Sequence, residues 1–120
     1  MARVLALVAD LIFQAKLAET ARQVGVELKM VTSDDALAAE VQAGRPALVV
    51  VDLNARREPV EALEKLRGAG EPIRVVAFLS HVQTELEERA RAAGCTQVLP
   101  RSKFVRELAT SLEKAKSEQP

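Results

Sequence analysis

A chain of 120 residues, 48% hydrophobic and 28% charged, carries enough apolar material for one good core and argues against two domains. Its 17 Lys and Arg balance its 17 Asp and Glu, which excludes nucleic-acid binding through bulk positive charge. Three Phe without Trp or Tyr leave few platforms for stacking bases or flavin rings, and a single Cys beside a single His excludes an internal disulfide and a conventional structural zinc.

Strand and helix signals alternate along the whole chain. Arg3 to Ala9 is a buried-type apolar run ending at Asp10, after which Phe13, Leu17, Ala21 and Val24 recur at helical spacing until Gly25. Val26 to Val31 alternates as a strand. Ser33 then offers an N-cap, Asp34 and Asp35 favour a first helical turn, Leu37 and Val41 share a face, and Gly44 closes the segment. Ala47 to Val51 is too short and too β-branched for a helix, so it is a strand covered on both faces, and Asp52 follows at once. Glu58 to Arg67 is helical, with Pro59 in its first turn and Gly68 and Gly70 beyond its end. Pro72 to Leu79 is a fourth strand, Glu85 to Ala93 a helix closed by Gly94, and Thr96 to Leu99 a short fifth strand. Phe104, Leu108 and Leu112 place a last amphipathic helix on the sheet, and the polar tail Lys116 to Pro120 is expected to fray. Five strand–helix units predict a single α/β domain over residues 1–120, a parallel sheet with helices on both faces. The chain shows no signal peptide and no apolar run of about 18 residues, so a cytoplasmic protein with no membrane contact is expected.

In an open parallel sheet the carboxyl ends of the strands face the crevice where ligands bind, which makes Asp52 the residue to explain. Each singled-out side chain also has a plainer role. Asp52 and Asp10 could cap loops or helices, and Ser80 could cap the fourth helix or face solvent. His81 suits an exposed surface, and Cys95 a small buried position at a strand start. Glu85 to Arg91 reads as a solvated helix face with Glu87 and Arg91 paired at i, i+4.

Acids at the ends of strands one and three, a hydroxyl after strand four and a cation after strand five form one pattern, carried by Val8-Ala-Asp10, Val49-Val-Val-Asp52-Leu-Asn54, Ala77-Phe-Leu-Ser80-His81 and Gly94-Cys-Thr-Gln-Val-Leu-Pro-Arg101-Ser102. Over essentially its whole length the chain thereby resembles the receiver domain of two-component response regulators, the CheY-like family. The resemblance implies a flavodoxin-like (βα)5 three-layer sandwich with strand order 2-1-3-4-5. It also implies a signalling domain rather than an enzyme, with at most self-phosphorylation from a phosphodonor and autodephosphorylation. Asp52 would be the phosphoacceptor, with Ser80 and Arg101 contacting phosphoryl oxygens. Mg²⁺ would be held by Asp10, Asp52 and the backbone carbonyl of Asn54. The implied partners are a sensor histidine kinase or another signalling protein, met through helix four, strand five and helix five, about residues 84–115. A homodimer is a further option, and no nucleic acid is expected.

The chain also departs from the family pattern. Ala9-Asp10 supplies one acid where members carry two, and Arg101, or Lys103, stands for a lysine that a proline usually follows but Ser102 follows here. An arginine fork does not replace a compact ammonium. The usual Met-Pro and Gly are absent from Ala55-Arg-Arg-Glu58, so Arg56 and Arg57 approach the crevice, and Val98 holds the place of the aromatic switch residue. Three functions follow: a phosphorylated receiver with weakened metal binding; a pseudo-receiver working by contact alone, with Arg56, Arg57 and Arg101 pairing with Asp52 or an anion; and a flavodoxin-like ligand-binding enzyme. The third lacks a Gly-rich phosphate loop after strand one.

Overall fold

The computed structural model describes residues 2–54, 59–67, 73–80 and 84–117; Arg56, Arg57, Glu58, Gly68, Gly70, Pro72, His81 and the tail 118–120 lie outside them. Strands β1 (Arg3–Leu7), β2 (Glu27–Val31), β3 (Leu48–Asp52), β4 (Val75–Leu79) and β5 (Gln97–Pro100) alternate with helices α1 (Leu11–Val24), α2 (Asp34–Ala43), α3 (Pro59–Arg67), α4 (Thr84–Ala92) and α5 (Arg101–Ser117). All pairings are parallel, in the order β2-β1-β3-β4-β5.

The continuous apolar runs of β1, β3 and β4 become the centre of the sheet because a central parallel strand is covered on both faces. Side chains alternate along each strand and so divide the core in two. Val4, Ala6, Leu48, Val50, Val76 and Phe78 face one way, under the buried stripes of α1 and α5. Leu5, Leu7, Val49, Val51, Ala77 and Leu79 face the other way and pack with residues of α2, α3 and α4. The result is a three-layer α/β/α sandwich. Its register pairs Val4 with Leu48, Val49 with Val75 and Ala77 with Val98, which brings the carboxyl ends of β1, β3 and β4 to one rim.

The helix ends follow the local chemistry. Ser33 accepts the Ala36 N–H at 3.0 Å and starts α2. Gly25 ends α1 at φ 89°, in the left-handed region that suits a residue without Cβ, and its N–H reaches the Ala21 carbonyl. Gly44 instead ends α2 in extended backbone, because Arg3 of β1 reaches across to donate to the Glu40 carbonyl at 3.0 Å and to the Gly44 carbonyl. The polar tail is expected to begin at Lys116, and the last helix reaches past that point. Helix α5 runs on to Ser117 because Ala115 is buried, Lys116 Nζ donates to the Val24 carbonyl at 3.0 Å, and the Ser117 hydroxyl bonds back to Glu113. That lysine satisfies a carbonyl left over at the end of α1 and ties α5 to it.

Candidate functional site

At the rim, the end of β1 turns straight into α1. Asp10 takes the N-cap position there, its Oδ1 accepting the N–H of Ile12 at 2.9 Å and of Phe13 at 3.1 Å. Gln14 clamps the same turn by donating to the Val8 carbonyl at 2.5 Å. The other carboxylate oxygen, Oδ2, accepts from Arg101 Nη2 at 2.7 Å. Arg101 belongs to the first turn of α5, with no intervening loop after β5. Its guanidinium lies 5.0 Å from the centre of the Phe13 ring, a cation–π distance. One carboxylate oxygen of Asp10 thus takes the plain capping role, and the other takes an ion pair with Arg101 that the sequence did not indicate.

Asp52 ends β3 on the face that also carries Val50 and is paired in register with Phe78. It is 8% exposed, one of two buried polar or charged residues among the described residues, and its Oδ1 accepts the Asn54 N–H at 3.0 Å. Asn54 in turn accepts the Ser80 N–H through its side-chain oxygen. The β3 and β4 ends are thereby laced together through an Asn54 side chain for which the sequence suggested only a backbone role. Ser80 itself is exposed. The structure thus brings Asp52, Asn54 and Ser80 into one hydrogen-bonded chain and Asp10 and Arg101 into one ion pair, on the same rim of the sheet.

Electrostatically, Arg101 dominates Asp10. The hydrogen bond from Arg101 comes first, the helix N–H groups assist, and together they hold the Asp10 carboxyl below its ordinary range. A divalent ion of the Mg²⁺ kind asks for several oxygens, carboxylates among them. Asp10 has committed one oxygen to two N–H groups and the other to a guanidinium. Among the described residues no three His, Cys, Asp or Glu side chains gather as a metal-holding group. Of the three donors that the resemblance implies, Asp10 is thus already engaged by Arg101 and by two N–H groups.

Two features escaped the sequence reading. Leu11 and Ile12, in the first turn of α1 beside Asp10, are 77% and 83% exposed. The signal was present, because the stripe Phe13, Leu17, Ala21 and Val24 leaves both off the buried face. The second is a triangular cluster of near-parallel rings, with Phe13 4.6 Å from Phe78, Phe78 4.8 Å from Phe104 and Phe13 5.8 Å from Phe104, and with Arg101 over the Phe13 ring. Three aromatics scattered over 92 positions gave no local sign of meeting. Cys95 is half-buried against the second core layer and not fully buried as expected, and this partial burial still pushes its ionisation up to about 12. The Glu87–Arg91 pair forms at 3.0 Å.

No protein-family model and no curated protein matches the sequence. Solved structures do match. A response regulator from Thermotoga maritima superposes with a TM-score of 0.79 at 15% identity, covering 98% of this chain and 99% of that one. The chemotaxis protein CheY4 of Vibrio cholerae gives 0.80 at 18% identity over 96% and 98% of the two chains. A CheY-like receiver domain protein from Methanospirillum hungatei gives 0.79 at 14% over 99% of each. The chain has the flavodoxin-like fold of CheY-like response-regulator receiver domains, with the strand order expected of it. At such identities the likeness carries the fold alone.

Proposed function

We propose that this chain is a receiver-like signalling module that works by protein contact and does not depend on phosphorylation. The observation that carries the reading is the Asp10–Arg101 ion pair: a cation built into the chain neutralises the carboxylate that a divalent ion would otherwise need. A permanent guanidinium cannot be diluted or chelated away, so the rim keeps one charge state whatever the metal concentration. Contact with a signalling protein is proposed at the exposed Leu11 and Ile12, which flank this pair, as well as at the 84–115 surface implied by the resemblance. No helix among the described residues is long and apolar enough to cross a membrane.

One observation favours the second reading, in which Asp52 is a phosphoacceptor. Its carboxylate ends a buried central strand and is hydrogen-bonded towards Asn54 and, through it, Ser80, so a phosphoryl group formed there would meet polar partners. Intact-mass spectrometry after incubation with Mg²⁺ and a small acyl phosphate separates the two. Contact without phosphorylation predicts no adduct and no metal-induced rise in melting temperature. A gain of about 80 Da, the mass of a phosphoryl group replacing hydrogen, that disappears in Asp52→Asn and persists in Asp34→Asn would establish the second reading instead.

A further inference from the structure

The two edges of the sheet differ. Strand β5 is four residues long and ends in Pro100, which cannot donate to a further strand. Strand β2 has no such guard. The Glu27 N–H donates to the Ala2 carbonyl at 2.8 Å, so Glu27, Lys29 and Val31 direct their backbone groups at β1. Parity then turns the N–H and C=O of Leu28 and Met30 outward, to the open edge. The side chains of Leu28 and Met30 are half-buried and, with Ala18, Ala21 and Val26, line a shallow groove of about 350 Å³ between α1 and this edge. On the opposite side of the strand Glu27 and Lys29 are exposed.

We propose that β2 is a self-association edge, where a second copy of this chain adds its own β2 antiparallel and continues the sheet. The choice of occupant rests on charge. With the two-fold axis at Leu28, each Leu28 exchanges both backbone bonds with its counterpart, and Met30 falls opposite Val26. Each Glu27 then falls opposite Lys29 of the second copy. Two opposite-charge pairs flank an apolar centre, and the grooves of the two copies join on the α1 side. The next allowed register, centred on Lys29, would oppose two lysines and is disfavoured. Lys29 already leans on Glu40 at 2.7 Å, and Glu40 is shared with Arg3 at 2.5 Å, so the lysine is steadied while its stem remains at the edge.

Charge reversal tests the register as well as the association. Sedimentation equilibrium of the full chain at concentrations up to about 1 mM, where weak interfaces associate, is expected to show dimers. Glu27→Lys alone opposes lysines and Lys29→Glu alone opposes glutamates. Each converts two attractive pairs into two repulsive ones and raises the dissociation constant by about tenfold or more. Mixed one to one, the two variants restore both attractive pairs, and a heterodimer of near wild-type affinity is expected. Met30→Pro serves as a second probe, since it removes an outward N–H that β1 does not use and should dissociate the dimer, with circular dichroism checking that the fold is kept. A wild-type chain that stays monomeric throughout overturns the proposal and leaves the edge to a strand of another protein. So does a dimer indifferent to both reversals, or variants that fail to recover on mixing.

Discussion

Phe104→Ala would remove one corner of the aromatic cluster that binds α5 and α1 to β4. Phe104 is fully buried, 4.8 Å from the Phe78 ring and 5.8 Å from the Phe13 ring. Transfer of a buried phenyl to water costs about 2–3 kcal/mol, and lost ring stacking about 0.5–1.5 kcal/mol more. The unfilled cavity brings the total to about 3–5 kcal/mol. Domains are typically stable by about 5–15 kcal/mol, so the variant should fold but sit near the threshold. At about 4 °C per kcal/mol for this length, the melting temperature should fall by about 12–20 °C. The chain has no Trp or Tyr to report by fluorescence, so urea and thermal melts are followed by far-ultraviolet circular dichroism. A loss under about 1.5 kcal/mol with an unchanged denaturant slope would show that the cluster collapses around the gap or never packed as described.

Three further outcomes follow from individual contacts. Asp10 is held below its ordinary range in the fold, so its contribution to stability is present above the unfolded carboxyl value and is lost as pH falls through the lower folded value; the difference in urea midpoint between wild type and Arg101→Gln should therefore be full at neutral pH and shrink at strongly acidic pH to what the Arg101–Phe13 contact contributes, and a difference that grows on acidification would refute the pairing. Cys95, half-buried and with its ionisation pushed up to about 12, should react more slowly with a thiol reagent in the native protein than in urea, so equal rates in both states would contradict its partial burial. Gly25→Ala places a Cβ at φ 89°, with Lys116 Nζ at 3.4 Å, and should cost about 1 kcal/mol in denaturant melts; a gain in stability would mean that the α1 terminus is not left-handed.

Much of the fold was legible in the chain because parallel α/β architecture writes itself locally. Val49-Val-Val51 announces a strand buried on both sides, Ser33 followed by Asp34 and Asp35 starts a helix, and Gly25 and Gly94 stop two others. The strand order rested on resemblance, since periodicity cannot say which strands are neighbours, and the register between β3 and β4 came only with the folded sheet. The candidate site divides in the same way. That Asp10, Asp52, Ser80 and Arg101 reach one rim follows from each standing at or just after a strand end. Which of them touch does not follow, because pairing depends on side-chain direction and on residues far apart in the chain. The sequence reading had Arg101 pairing with Asp52 or an anion, whereas the guanidinium meets Asp10, 91 positions away. Likewise the sequence alone determined that Leu28 and Met30 alternate with Glu27 and Lys29, as any strand requires. Only the tertiary structure decided that this strand is the open edge, because an edge is defined by which neighbours are missing from a sheet and not by any property of the strand itself.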